Sequence, residues 1–308
     1  MTLPVWTRVA QMGPELDRLR AAGDRIVLVP TMGDLHEGHL SLVRAGLPFG
    51  RVVVSIFVNP TQFAPGEDYE NYPRQLDEDL AKLESLGVAA VFAPAPEEMY
   101  PESESTRVEV RGLTEPLCGA HREGHFLGVT TICTKLFIAT GCDLAVFGQK
   151  DAQQCLVIRR LVLDLGLRTD LLFVPTVRQE GGVALSSRNR YLQGDEMGRA
   201  RALSRALAAG RALLEQGERQ VARVEKAMLE SLRASGVEPD YAELRTIPDL
   251  AHFRSASGRV LLAGAAYVGK ARLIDNLSLE IGDSVTEVPL LDEHAPAAVA
   301  ARWANRNG

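Results

Sequence analysis

Three short stretches of this 308-residue chain hold side chains suited to gripping a polyphosphate. The first, residues 30–39, reads Pro-Thr-Met-Gly-Asp-Leu-His-Glu-Gly-His and sets His36 and His39 three residues apart. If a helix begins near Gly38, its free N–H groups and positive dipole end face a crevice where anions bind. The two imidazoles then donate hydrogen bonds to phosphate oxygens and stabilise the charge that develops at a reacting phosphate. Two plainer readings stand beside this one. The pair could be surface or core histidines, or half of a zinc site; zinc wants a third Cys, His or carboxylate, and an H-E-x-x-H helix needs one residue more between the histidines.

The second stretch, residues 147–154, reads Phe-Gly-Gln-Lys-Asp-Ala-Gln-Gln. Lys150 follows a glycine that lets the backbone approach a ligand closely, and Asp151 suits the cap of a following helix. Judged alone, Lys150 is equally a solvated surface lysine. The third stretch, residues 184–190, reads Ala-Leu-Ser-Ser-Arg-Asn-Arg. Arg188 can clamp phosphate oxygens with two parallel N–H bonds, and Ser186 and Ser187 add hydroxyl and backbone donors. A lone Ser-Ser-Arg is a common loop.

The elements around these stretches decide whether they meet. Residues 26–30 form a short apolar run that predicts a buried strand feeding the first stretch, with helix from His39 to about residue 45. Strand at 51–58, helix at 73–86 with a proline at its start, and strand at 88–93 come next. Residues 128–140 predict helix, 144–147 strand, 152–165 helix and 171–174 strand. Such alternation is the pattern of a Rossmann-like parallel sheet wrapped by helices, an α/β fold. From residue 177 the texture changes to a Gly- and Ser-containing loop, then two segments rich in Ala, Leu, Arg and Glu at 195–216 and 220–234. Strand-like runs follow at 241–247, 260–268 and 272–279. The division expected is therefore a first domain over 1–176, a smaller α+β C-terminal domain over 177–283 acting as a lid, and a loosely attached tail over 284–308 with few large apolar groups.

Composition bounds the class. Hydrophobic residues make up 46% and charged residues 24%, ordinary for a globular protein. The net charge of -6 provides no global positive field for DNA, RNA or an anionic membrane, so nucleic acid and membrane are not expected partners. The four cysteines, Cys118, Cys133, Cys142 and Cys155, form no C-x-x-C pair and read as reduced structural thiols. No apolar run approaches the ~18 residues that span a bilayer, and residues 1–13 lack a basic stretch followed by an apolar one. The expected compartment is the cytoplasm.

Taken together and in this order, the three stretches resemble the pantothenate synthetase family, pantoate–β-alanine ligases of the nucleotidyltransferase superfamily with a HIGH-type histidine motif and a KMSKS-like loop. The resemblance extends to Val-Ser-Ile-Phe-Val-Asn-Pro-Thr-Gln-Phe at 54–63, Tyr-Pro-Arg at 72–74, Cys-Gly at 118–119, Gly-His-Phe-Leu-Gly-Val at 124–129 and Lys-Leu-Phe at 135–137. It implies condensation of pantoate with β-alanine, driven by cleavage of ATP to AMP and pyrophosphate through a pantoyl-adenylate, with Mg²⁺ accompanying ATP. Carried over residue by residue, it implies an ATP site of Pro30, Thr31, Met32, Gly33, His36, His39, Gly148, Gln149, Lys150, Asp151, Val177, Leu185, Ser186, Ser187 and Arg188, with His39, His36, Lys150 and Arg188 catalytic. Gln62 and Gln154 would hold pantoate, with Asn59, Tyr72 and His125 nearby. Magnesium would meet Glu78 or Asp79, which sit side by side and so cannot both point inward from a helix. A homodimer through the first domain is also implied.

The chemistry suits these groups independently of the family. A carboxylic acid with a pKa near ~4 is already ionised at neutral pH, so the first step needs its repulsion from the triphosphate cancelled rather than a base. A nucleotidyltransferase acting on a phosphorylated small molecule is the alternative enzyme, and it would want extra Arg or Lys where Gln62 and Gln154 stand. A non-catalytic nucleotide-binding regulator would have lost the histidines or Lys150, and both are present.

Overall fold

The computed structural model describes residues 3–305. The first part of the chain runs β1 (Val5–Trp6), α1 (Val9–Ala21), β2 (Ile26–Thr31), α2 (Glu37–Gly46), β3 (Arg51–Ile56), α3 (Leu76–Glu84), β4 (Ala90–Phe92), α4 (Pro96–Met99), α5 (Cys118–His121), α6 (His125–Thr140), β5 (Leu144–Gly148), α7 (Ala152–Asp164) and β6 (Asp170–Val174). Its strands form one parallel sheet in the order β1-β4-β3-β2-β5-β6. Side chains alternate along each strand, and here both faces are covered. Ile26, Leu28, Val53, Ala145 and Phe147 enter one core, while Val27, Val29, Val52, Val54 and Val146 enter the core on the opposite face. That double burial explains the unbroken apolar runs of the sequence.

Two boundaries differ from expectation. Helix α3 begins at Leu76 rather than at Pro73, because Arg74 turns back to donate to the carbonyls of Tyr69 (3.1 Å) and Tyr72 (3.1 Å) and holds 69–74 in a turn. Helix α6 begins at His125, three residues earlier than expected, after Gly124 in the left-handed region at φ 75°. Gly128 then lies inside the helix because a Cβ there would sit 2.3 Å from the Thr61 carbonyl oxygen, so only glycine lets α6 pass the 59–62 turn.

The second domain is α8 (Glu196–Glu215), α9 (Val221–Ala234), β7 (Glu238–Thr246), β8 (Gly258–Val268), β9 (Ala271–Ile281) and β10 (Val285–Glu287), with an antiparallel sheet ordered β10-β9-β8-β7. Leu203, Leu207, Val224 and Met228 of the two helices share a core with Leu244, Val260 and Leu262. Tyr241, Leu261, Ala263 and Ala265 join the core of the parallel-sheet domain instead. The small sheet is thus buried on both faces and docked onto the first domain.

Residues 284–308, expected as a loose tail, are a correction over their described part. Val285 pairs with Ile281 to extend the small sheet, Leu290 and Leu291 are buried in the first domain's core, and α10 (Pro296–Asn305) buries Val299 and Trp303 against the opposite face of the parallel sheet. Trp303 Nε1 donates to Asp170 Oδ2 (2.8 Å), and the Arg25 guanidinium lies 4.6 Å from the indole centroid. Leu290, Leu291, Val299 and Trp303 are sparse enough to mislead a composition count, but all four point inward. Positions 306–308 lie outside the described residues.

Candidate active site

The strand order reverses between β2 and β5: from β2 the chain moves outward to β3 and β4, then returns to start β5 on the other side. The loops after these two strands diverge there and leave a crevice at the carboxyl edge of the sheet, the general location of ligands in open α/β folds. The H-x-x-H stretch follows β2 and the Gly-Gln-Lys-Asp stretch follows β5. Between them opens a cleft of about 1390 Å³ counted with its mouth, closed on the far side by residues 175–177 and 185–188.

His36 and His39 build a capping box at the start of α2. Gly38 N–H donates to His36 Nδ1 (3.1 Å), and His36 N–H donates to His39 Nδ1 (3.3 Å). A Cβ at Gly38 would lie 2.8 Å from the His36 ring, so glycine is what lets that ring fold back over the helix end. The rings stack with centroids 4.1 Å apart. Each Nδ1 accepts, so the proton of each neutral ring sits on Nε2, the tautomer being assigned from these partners. The expectation of free helix N–H groups for an anion is corrected here, since two of the amides are satisfied by the imidazoles and the cleft is offered Nε2–H donors instead. Desolvation, with Lys150 adding to it, lowers the His36 pKa to about 4. Desolvation, followed by the adjacent His36 and Lys150, holds His39 well below the ordinary value. In the free cleft the histidines are neutral hydrogen-bond donors, and the positive charge comes from Lys150 and Arg188.

Lys150 rises from a 3-10 turn, Gln149–Asp151, that precedes α7. Its Nζ is 3.9 Å from Asp151 Oδ1. The Asp151 side chain makes no cap hydrogen bond to α7, so the capping expected of it is not observed; the carboxylate lines the cleft. Arg188 sits in a second 3-10 turn, Ser187–Tyr191, where its N–H donates to Ser186 Oγ (3.3 Å). Its Nε and Nη2 pair with the two oxygens of Asp68 (3.0 and 2.8 Å), leaving the Nη1 edge for a ligand. Ser187 Oγ donates to the Asp34 carbonyl (3.1 Å), Arg190 pairs with the Asp34 carboxylate (2.8 Å), and Tyr191 OH donates to the Asn71 carbonyl (3.3 Å). These bonds fasten the loop across the mouth of the cleft.

On the side toward α6 the walls turn to amides. Asn59 is buried, accepts from Tyr100 OH (2.7 Å), and donates to Gln62 Oε1 (3.1 Å) and the Gly128 carbonyl (3.1 Å). Gln62 Nε2 contacts Met32 Sδ at 2.9 Å. Gln154 lines the cleft with no side-chain hydrogen bond among the described residues. His125 is held by the Gln62 carbonyl at Nδ1 (2.8 Å) and by Arg122 at Nε2 (3.0 Å), which makes Nδ1 the donor. Burial, then the Arg122 charge, lowers its pKa to about 3. Tyr72 is buried too, and desolvation pushes its hydroxyl up to about 12. One cation does stand here, Arg122, but Glu67 takes it in a bidentate pair (2.6 and 2.7 Å). The pocket therefore offers amides to a polar, weakly charged ligand rather than a second phosphate site.

The structure brings together most of the expected site: Pro30, Thr31, Met32, His36, His39, Gly148, Lys150, Asp151, Val177, Leu185 to Arg188, Asn59, Gln62, Tyr72, His125 and Gln154 all line one cleft. Four expected residues do not line it. Gly33 turns the loop beneath it at φ 83°, and Gln149 donates to the Phe173 carbonyl (3.3 Å). Asp79 is buried and accepts from Asp34 N–H (2.8 Å) and Leu35 N–H (2.7 Å), so it shapes the 33–35 loop; Glu78 bonds Gln75 (3.3 Å) outside. Asp79 thus spends one acceptor site of each oxygen on a backbone amide with Lys82 Nζ at 3.8 Å, and Glu78 bonds away from the cleft, so neither carboxylate lines it. Residues not foreseen include Arg122, Glu67, Asp68 and Asp34. Their only signal was proximity to recognised stretches, because the pairing partner of each is distant in sequence.

The three desolvated histidines of the cleft predict an acid-sensitive fold. Each has a folded pKa below the ordinary 6.5. Between pH 6.5 and about 4 the unfolded chain therefore binds more protons than the folded one, and stability falls as pH falls. His36 alone accounts for a few kcal/mol at most by this linkage, on the order of ~1.4 kcal/mol per pH unit. Thermal melts from pH 7 to 4.5 should show a decline in Tm that is shallower in His36→Asn; equal slopes would mean that His36 titrates normally.

Comparison with known proteins adds an independent line. The family model described as pantoate-beta-alanine ligase matches residues 4–278. The pantothenate synthetase of Moorella thermoacetica is 52% identical over 86% of this chain and 94% of its own length. That of Carboxydothermus hydrogenoformans is 50% identical over 90% of this chain and 97% of its own. Among solved structures, the pantothenate synthetase from Thermus thermophilus superposes with a TM-score of 0.83 at 45% identity, covering 89% of this chain and 99% of that one. The Francisella tularensis pantoate-beta-alanine ligase, complexed with beta-gamma ATP and beta-alanine, matches with a TM-score of 0.74 at 32% identity over 89% and 97% of the two chains.

Proposed function

The chain belongs to the pantoate-beta-alanine ligase family, and from that premise we propose how its cleft divides the work of an ATP-dependent ligase that joins pantoate to β-alanine. ATP lies across the switch point with its phosphates toward Lys150, Arg188 and the two Nε2–H groups. Pantoate lies toward α6 with its hydroxyls on Gln62 and Gln154. A pantoate carboxylate oxygen attacks the α-phosphorus, and the bond to the bridging oxygen breaks with its electron pair leaving on pyrophosphate. The unprotonated β-alanine amine then attacks the acyl carbon of the pantoyl-adenylate, the acyl C–O bond breaks with its electron pair leaving on AMP, and the amine proton passes to water or a phosphate oxygen. Ionised pantoate needs no base for the first step, only positive charge and donors near the triphosphate.

The observation that carries this reading is convergence: cations and donors from the β2 loop, the β5 turn and the 185–188 loop share one cleft with an adjoining amide pocket. The test is incubation with ATP, Mg²⁺, pantoate and β-alanine, with AMP release followed as each acid is omitted. AMP release without pantoate would refute the order of steps. Gln62→Ala should raise KM for pantoate about 10-fold or more, the loss of one to two hydrogen bonds to a bound hydroxyl, with KM for ATP changed little. The reverse pattern would put pantoate elsewhere.

Magnesium belongs to this reading as a companion of the ATP phosphates with no protein carboxylate assigned to it; AMP release that survives EDTA would remove it. The division into a 1–176 binding domain and a 177–283 lid is part of the same proposal, tested by cross-linking residues 68 and 188, which should stop turnover. We place the enzyme in the cytoplasm, where ATP is supplied; no helix of the described residues is long and apolar enough to cross a membrane. Fractionation finding it elsewhere would contradict this. A homodimer through the first domain is supported by Leu127 and Ile138, about three turns apart on one exposed side of α6. Sedimentation returning the mass of one chain would exclude it.

A further inference from the structure

Two neighbouring residues of β9 touch both loops that carry the cleft's cations. Asp275 is 3% exposed and accepts from Arg178 through two bonds, Nη1–Oδ2 at 2.6 Å and Nη2–Oδ1 at 2.9 Å. Arg178 bridges to Ala184, Leu185 N–H donates to the Val177 carbonyl (3.0 Å), and Arg178 Nη1 also donates to the Gly182 carbonyl (2.9 Å). These bonds make residues 177–185 a tight hairpin arm, rooted on Asp275 and continuing directly into Ser186 and Arg188. The next residue, Asn276, is 8% exposed and faces the other loop. Its Nδ2 donates to the carbonyls of Gln149 (3.0 Å) and Lys150 (2.8 Å), the 3-10 turn that projects Lys150 into the cleft. Asn276 N–H donates in turn to Asp275 Oδ1 (2.8 Å), so the two residues are tied by a hydrogen bond as well as by the peptide bond.

We propose that Asp275 and Asn276 are positioning residues for the ligase reaction: with the lid closed, one strand of the C-terminal sheet fixes the Lys150 turn and the Arg188 arm relative to each other. The parallel sheet cannot do this alone. β5 and β6 are paired up to Gly148 and Val174, but the pairing ends there, two residues before Lys150 and fourteen before Arg188. Donors aimed at charge developing on a phosphate must be held within about 0.5 Å, which asks for supporting hydrogen bonds around the residues that touch the ligand. Asn276 is suited to that task because a single NH₂ group satisfies two carbonyls at once, and Asp275 because its carboxylate matches the guanidinium fork of Arg178.

The proposal rests on the reading that Lys150 acts on the triphosphate, and the experiment keeps the two apart. Asn276→Asp is the same size but presents an acceptor oxygen where the two carbonyls need a donor. Pantoate-dependent ATP–pyrophosphate exchange should slow about 10- to 100-fold in this variant, the usual loss on removing a supporting partner. KM for pantoate should stay within about twofold, since Gln62 and Asn59 hang from other elements. The same substitution is then made in a Lys150→Ala background and followed by single turnovers at high enzyme concentration. If Asn276 acts through Lys150, the second change costs less than about threefold; a general packing defect would multiply its full effect into the double variant. Asp275→Asn, which keeps shape and one acceptor, should give a smaller loss, and should add to Asn276→Asp less than multiplicatively. Normal exchange in Asn276→Asp, or full multiplication with Lys150→Ala, overturns the proposal. Unchanged exchange in Lys150→Ala alone would instead overturn the reading on which it rests.

Discussion

Lys150→Ala is expected to slow pantoate-dependent ATP–pyrophosphate exchange by about two to three orders of magnitude, the scale on which losing one preorganised donor to a transition state is measured. The other two cations of the cleft wall are already paired, Arg188 with Asp68 and Arg122 with Glu67, whereas Lys150 has, among the described residues, only Asp151 at 3.9 Å as an ion-pair partner. Its ammonium is therefore the charge most available to a triphosphate before any rearrangement. Lys150→Arg should recover only part of the rate, because a planar fork replaces a point charge on a turn whose carbonyls are pinned by Asn276. Stability should change little, since the side chain packs in no core cluster. Exchange within about threefold of the parent would show that the phosphates lie elsewhere.

His39→Ala should be of similar size, about 10²- to 10³-fold in adenylate formation, for a different reason. Removing the ring deletes one Nε2–H donor, the acceptor for the His36 backbone N–H and the surface on which the His36 ring stacks, while that ring keeps its own bond from Gly38 N–H. His36→Ala should cost less than His39→Ala, because His39 keeps its own bond to the helix end through its Nδ1 lone pair. Circular dichroism and Tm at pH 7.5 should stay close to the parent in both. Turnover near normal in His39→Ala would remove the histidine box from the mechanism. Equal losses in the two variants would mean that the rings act as separate donors rather than as a stack ordered by its inner member.

Several of these features are legible in the amino-acid sequence. The alternation of β-branched runs with helical spacing points to a parallel sheet, since only a strand buried on both faces tolerates runs such as Val52, Val53, Val54 without a polar break. The site stretches were legible for a related reason. Histidine pairs, Gly-x-Lys and Ser-Ser-Arg are local signals, read within about ten residues of a strand end. What misled was local too. The family resemblance points to Asp79 as a possible magnesium contact, whereas its partners in the structure are amides 44 and 45 residues away. The tail looked loose because four inward-facing apolar residues are diluted among alanines and charges.

By itself the chain's order of residues determined most of the strands and helices, the layer architecture, the family and the three loops that line the cleft, because each depends on patterns a few residues long. Only the tertiary structure decided that the histidines are desolvated and tied through Nδ1 to backbone amides, that Arg188 is held by Asp68, and that one dipeptide of the small sheet bonds two loops of the cleft. Those outcomes depend on burial and on partners brought together from distant segments, and neither can be read from spacing along a chain.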